Sequence, residues 1–259
     1  MMQEVLIIEE ENGVFTAVLN NPPMNTLHAE LIDALADLID TLSASSTTKA
    51  LILTGSGEKA FAAGADINEF LTLDSARGRE MSKKGQDIFD ALSSLPFPVI
   101  CALNGYTLGA GLELALATDI RIAEEQIKLG LPEVNLGIIP GYGGTQRLSR
   151  LIGIGKAKEF IFSGDYLNAE EALRLGVVEK VVPRGTACEA AKEFAQSLAK
   201  KPPLAIAGAK KAINQGIEIS LSKGQELERK VFGELCDSED AKEGANAFLE
   251  KRKPLFRGV

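Results

Sequence analysis

Two glutamates, Glu113 and Glu133, stand beside glycine-rich bends in stretches that are otherwise apolar. Glu113 belongs to NGYTLGAGLELALATDI, residues 104–120, one turn after Gly109 and Gly111, where the run should be entering a core. Glu133 follows Pro132 in KLGLPEVNLGIIPGYGGTQRL. A carboxyl group desolvated in such a place has its pKa raised toward the range useful for proton transfer, so the pair is a candidate for two-carboxylate acid–base chemistry. The bends supply a second ingredient. A strand, then glycines, then a helix leaves backbone N–H groups free at the positive end of a helix dipole. Such groups suit an anion or a carbonyl oxygen acquiring negative charge. EKAFAAGADINEF, residues 58–70, repeats the form: a strand ends in the small-residue loop AAGAD before a helical turn. Small side chains there let a ligand approach the backbone. Two such loops can aim two N–H groups at one oxygen. Taken singly, each loop reads more readily as a tight packing turn, and Glu133 as an acid in a helix's first turn; together they are more informative.

Other chemistries fit poorly. A dinucleotide fingerprint fails because Leu114 stands where the third glycine after Gly109 and Gly111 belongs. GIGKAK is no phosphate loop, since Arg150 occupies the position five before Gly155. The single histidine, His28, begins an amphipathic helix and reads as a solvated helix end rather than a triad base. Cys101, Cys188 and Cys236 are odd in number and far apart, which argues against disulfides and structural zinc and for small core residues in a reducing compartment. A net charge of −8 disfavours nucleic acid as a main partner, without excluding an anionic small ligand. The acidic N-terminus lacks a signal peptide's basic start, and no apolar run reaches the ~18 residues of a membrane span, so a cytoplasmic protein is expected.

The elements that must position these groups read as α/β. EVLIIEE and VFTAVLN, joined by Asn12-Gly13, predict a β-hairpin. A helix is expected over 28–43, a strand over 50–55, a helix over about 75–95 and a buried strand over 98–105. The helix carrying Glu113 follows, then short strands in DIRIAEE and IKLGLPE, a helix from GYGGTQRLSRLIG and a last strand in GVVEKVVP. From about 186 onward only helical patterns remain, so the expected division is a body over 1–190 and a helical region over 191–259. Such a tail has few ways to bury its apolar stripes alone, which points to packing on another subunit.

AFAAGADINEF, NGYTLGAGLELALATDIRIA, LPEVNLGIIPGYGGTQRL and the closing AFLEKRK, with NNPPMNTL near the start, resemble the enoyl-CoA hydratase (crotonase) family over essentially the whole chain. The resemblance implies a spiral of ββα turns with a C-terminal helical trimerisation region, as a homotrimer or a homohexamer built from two trimers. It places the family's oxyanion-hole N–H groups on Ala65 and Ala110; the second is commonly glycine, so Ala110 departs from the pattern while keeping its N–H. It places the catalytic glutamates on Glu113 and Glu133, and coenzyme A contacts on Ala63, Gly64, Asp66, Ile67, Gly109, Phe248 and Lys251. The last two approach coenzyme A in relatives sometimes from a neighbouring subunit. Residues 68–87 are expected to wall an acyl pocket. The implied activity is hydration of a 2-enoyl-CoA to the 3-hydroxyacyl-CoA, with the acyl-CoA as substrate, no metal and no separate cofactor, and neither nucleic acid nor membrane as partner. Family members that only isomerise, hydrolyse or decarboxylate often lack one of the two glutamates, and this sequence has both. The alternatives are an enoyl-CoA isomerase or another crotonase-fold acyl-CoA enzyme and, further off, an RNA-binding member of the same fold using the short basic stretch KRKPLFR.

Overall fold

The structure, a computed structural model, describes residues 4–65, 71 and 73–259. Among these residues ten strands fall into two sheets. The larger runs in the order β1 (Leu6–Glu11), β2 (Val14–Leu19), β3 (Ala50–Gly55), β5 (Val99–Leu103), β7 (Ile120–Glu124) and β10 (Lys180–Val182). The smaller runs β4 (Ala60–Ala63), β6 (Tyr106–Leu108), β8 (Lys128–Gly130) and β9 (Tyr166–Asn168). Among the described strands only the β1–β2 and β8–β9 pairs are antiparallel. The chain enters the large sheet at β3, β5 and β7 and crosses each time to the small sheet at β4, β6 and β8. Each crossing is one turn of the expected spiral, and the functional loops leave from the small-sheet strands.

The hairpin forms as the sequence predicts, with Asn12 at φ 56° and Gly13 at φ 84°, the left-handed pair that a two-residue turn demands. β3 and β5 are buried throughout, as parallel strands covered on both faces should be. Their alternation divides two cores. Leu51, Leu53, Val99, Cys101 and Leu103 face the larger apolar cluster; Ala50, Ile52, Ile100 and Ala102 face a second cluster. That second face is covered by Ala187, Ala191 and Ala195. Their four-residue spacing makes a stripe of small side chains on which a helix can lie close to the sheet.

Ten α-helices are described: α1 (Ala29–Ser43), α2 (Ser75–Ser94), α3 (Ala110–Leu116), α4 (Gly144–Ile152), α5 (Ile154–Ser163), α6 (Ala169–Leu175), α7 (Ala187–Leu198), α8 (Pro203–Gly216), α9 (Leu221–Cys236) and α10 (Glu239–Leu249). His28 caps α1, its Nδ1 accepting from the Leu31 N–H at 3.2 Å. Four elements, β6, β9, α5 and α6, leave no clear signal in the sequence. They are three to ten residues long and too short or too mixed in pattern for periodicity to register. The boundary expected at 190/191 falls inside α7, the helix whose alanines lie against the large sheet. The following helices project further: α8 and α9 pack on each other, and Lys210 of α8 reaches back to Asp119 Oδ2 (2.7 Å) and Phe97 O (3.0 Å). No helix among the described residues is long and apolar enough to cross a membrane.

Candidate active site

The first loop is held from both sides. The Ala63 N–H donates to Met24 O (2.9 Å), the Gly64 N–H to Leu108 O (2.8 Å), and the Leu27 N–H to Gly64 O (3.0 Å). Behind them sits Asn25, fully buried at φ 50°, a left-handed conformation that asparagine tolerates. Its Nδ2 donates to Ser56 O (3.0 Å) and Ala60 O (2.8 Å), while its Oδ1 accepts from the Asn21 N–H and the Ser56 hydroxyl. With its neighbours tied down, the Ala65 N–H has no backbone acceptor among the described residues. Asp66 and Ile67, expected beside it, lie outside the described residues.

The second loop is the sharp step from β6 into α3. Gly109, at φ 53°, donates its N–H to Gly130 O (2.8 Å) and accepts from the Glu113 N–H (3.0 Å). Ala110 opens the helix, so its N–H has no intrahelical acceptor, and no backbone acceptor is recorded for it among the described residues. The two loops touch: a Cβ on Gly109 would lie 3.4 Å from Gly64 Cα. Gly111 makes this possible, because any side chain there would collide with the Ala62 carbonyl and push α3 off β4.

Glu113 is 2% exposed and points its carboxyl group toward the loop before α4. Oε1 accepts from the Tyr142 N–H (2.8 Å) and the Gly144 N–H (2.7 Å). Gly144 must be small, since a Cβ would come within 2.9 Å of that oxygen. Burial pushes the Glu113 carboxyl up to about 7. The Gly144 N–H opposes that rise, the nearby Glu133 adds to it, and the Tyr142 N–H and Arg147 act downward. Glu133 enters on the 3-10 turn Pro132–Leu136, its Oε1 3.0 Å from where a Gly109 Cβ would stand. Its Oε2 is buried with no hydrogen-bond partner among the described residues. Burial pushes this carboxyl to about 7 as well, with its own N–H pulling it back. An orphaned buried carboxyl oxygen is costly, and it invites a partner that arrives from solution.

All these groups border one cavity of about 1160 Å³, where Ala63, Gly64, Ala65, Gly109, Ala110, Glu113 and Glu133 meet. Leu71, Leu73 and Met81, from the segment expected to wall an acyl pocket, line it with Leu136, Ile138 and Ile139. A long, largely apolar pocket with two convergent N–H groups and two carboxyl groups suits a thioester with an acyl tail. Phe248 and Lys251 are not brought to it: Phe248 is 83% exposed on α10, and Lys251 follows that helix at φ 52°. Asn25 and the Tyr142 and Gly144 N–H groups escaped the sequence reading. The signal for Asn25 was a polar residue within a Pro-rich bend, and for the amides there was none, since any residue but proline supplies an N–H.

The chain is similar to known proteins over nearly its whole length. A profile of the enoyl-CoA hydratase/isomerase family matches residues 9–259. The short-chain-enoyl-CoA hydratase of Clostridium acetobutylicum is 42% identical over 249 residues, covering 96% of this chain and 95% of its own. The crotonyl-CoA hydratase of Syntrophomonas wolfei is 40% identical, covering 99% of each. A crystal structure of an enoyl-CoA hydratase from Bacillus anthracis, 40% identical, superposes with a TM-score of 0.95 over 99% of this chain and 100% of that one. A resemblance first carried by two glycine bends and two glutamates therefore extends to the whole chain and its path in space: this protein belongs to the enoyl-CoA hydratase/isomerase family.

Proposed function

We propose that the protein is a hydro-lyase that adds water reversibly to a trans-2-enoyl-CoA, giving the 3-hydroxyacyl-CoA. The observation that carries this reading is the presence of two glutamates, both raised to about 7, in one cavity beside two N–H groups that lack backbone acceptors among the described residues. The thioester oxygen would sit between the N–H groups of Ala65 and Ala110. As water adds at C3, charge moves onto that oxygen, and each donor stabilises the enolate-like state by roughly 2.7–4 kcal/mol. Glu113, ionised, takes the proton from the attacking water. Glu133, whose free Oε2 awaits a partner, holds the same water and delivers a proton to C2. A carboxyl group near 7 is divided between its two protonation states at neutral pH, so one member can accept while the other donates. The reaction is a proton transfer and an addition, with no electron change, so its balance requires neither a redox cofactor nor a metal. Coenzyme A would run along Ala63, Gly64 and Gly109, and the acyl tail along Leu71, Leu73 and Met81. The helical tail would assemble chains into a trimer or a hexamer.

The test is loss of enoyl-thioester absorbance on mixing purified protein with crotonyl-CoA and with longer 2-enoyl-CoAs, and identification of the 3-hydroxyacyl product. Hydration of at least one substrate without added metal or nucleotide is expected. A folded protein that hydrates none of them, or that only moves the double bond, overturns the reading.

A further inference from the structure

The segment that feeds N–H groups to Glu113 is gripped by one face of a helix outside the catalytic motifs. Ser82, Gln86 and Asp90 recur every fourth residue on α2 and so lie along one stripe. The Ser82 hydroxyl donates to Gly141 O (2.6 Å), and Gln86 Nε2 donates to the same oxygen (2.9 Å). Asp90 pairs with Arg147 Nη2, and Arg147 Nη1 donates to Tyr142 O (2.9 Å). The same face accepts the Tyr142 ring, which stands edge-on to Phe89 at 5.7 Å and fills the space that glycine leaves at position 85. Two consecutive carbonyls, Gly141 and Tyr142, are thus pinned on one side, and the Tyr142 and Gly144 N–H groups point to Glu113 on the other.

We propose that Ser82, Gln86, Asp90 and Arg147 form the positioning apparatus of Glu113: they fix the loop whose N–H groups orient its carboxylate, and Arg147 supplies the positive charge that faces it. This rests on the hydratase reading. Among the described residues, the charged groups facing Glu113 are Glu133 from the 3-10 turn and Arg147 from α4, with Asp90 of α2 acting through Arg147. Arg147 acts to lower the Glu113 pKa and Glu133 to raise it, against the larger effect of burial. Arg147 does two things at once. Its charge favours ionised Glu113, while its planar fork spans the Tyr142 carbonyl and Asp90, a geometry that lysine cannot reproduce. Because α2 also walls the cavity through Gly78 and Met81, one helix both bounds the substrate and holds the base in register.

The experiment measures kcat and KM for crotonyl-CoA against pH in wild-type protein and in Arg147→Met, Arg147→Lys and Gln86→Leu. Arg147→Met is expected to lower kcat about tenfold or more, leave KM within about twofold, and move the acid limb of kcat up by about 0.5–1 pH unit. The sign follows from the charge: without Arg147, Glu113 ionises only at higher pH. Arg147→Lys should return the limb to the wild-type position but not the full kcat. Gln86→Leu, a change at an exposed position that also borders the cavity, should lower kcat about threefold or more with a smaller change in KM. An unmoved limb in folded Arg147→Met, or the same limb shift in Arg147→Lys, overturns the inference. If Arg147→Met does not fold, wild-type kcat in Gln86→Leu overturns it. Wild-type protein without hydratase activity would bring down the hydratase reading and this inference together, whereas an active wild type with unaffected variants brings down this inference alone.

Discussion

At the scale of single residues the site holds two carboxyl groups where folding would prefer none. The ordinary value for each is 4.5, and burial raises both to about 7. Between those values the folded state binds more protons than the unfolded chain, so stability falls as pH rises through the window and the loss is complete above about 7. Replacing Glu113 by glutamine keeps an acceptor for the Tyr142 and Gly144 N–H groups and removes the charge. Glu113→Gln should therefore be more stable than wild type at pH 8, by about 1–3 kcal/mol, and nearly equal to it at pH 4.5. Urea denaturation at the two pH values checks this. A wild-type dependence retained in the variant would mean that Glu113 is not the group responsible. The same change should cut hydration by about 10²-fold or more, as should Glu133→Gln. The double variant should lose far less than the product of the two losses, because both groups act on one water. The glutamates were legible in the sequence because a charge inside an apolar run is conspicuous. The amides that hold Glu113, and Arg147 behind them, were not, since backbone donors carry no residue signature and TQRL reads as an ordinary helix start.

At the scale of elements, two loops from different turns of the spiral must come within a few ångströms of each other. The sequence displayed the glycines but not their division of labour. Gly109 is required by its φ of 53°, whereas Gly111 is required by the Ala62 carbonyl lying against it. Periodicity cannot see the second kind of demand, because it arises between a helix and a strand that are not neighbours in sequence. The same blindness hid β6, whose three residues are recognisable as a strand only through their pairing with β4 and β8. Adjacent positions in α3 should accordingly respond in opposite ways. Ala110→Gly removes a methyl and retains the N–H, and should keep most of the activity. Gly111→Ala must lift α3 from β4, costing about 1–3 kcal/mol of stability. Since it also separates the Ala65 and Ala110 N–H groups, turnover should fall about 10–10²-fold. Thermal unfolding and kcat measured on both variants test the pair. Wild-type kcat in Gly111→Ala would mean that the spacing of the two loops does not govern the rate.

At the scale of the whole molecule the tail poses the remaining structural demand. Ile213, Ile217, Leu221, Phe232, Phe248 and Leu249 are each more than two-thirds exposed, and all lie beyond α7 on helices or the turn between them. A single chain gains nothing from presenting so many large apolar side chains to water, and patches of this kind mark interfaces. The alternation of strand and helix made the body readable from sequence. An apolar helix face, by contrast, says that it will be covered and not by what. The positions of Phe248 and Lys251 sharpen the question, because neither reaches the cavity of its own chain, where the family resemblance expects both to approach coenzyme A. If a neighbouring subunit supplies them, assembly and substrate binding are linked. Light scattering should then give a mass of three or six times 27.6 kDa at micromolar concentration. Charging the exposed face with Leu221→Glu and Phe232→Glu together should dissociate the assembly and raise KM for crotonyl-CoA about tenfold or more, with circular dichroism unchanged. Phe248→Ala in the intact assembly should raise KM in the same direction without dissociating it. A 27.6 kDa monomer with wild-type kcat and KM would refute the linkage and assign the exposed face another role.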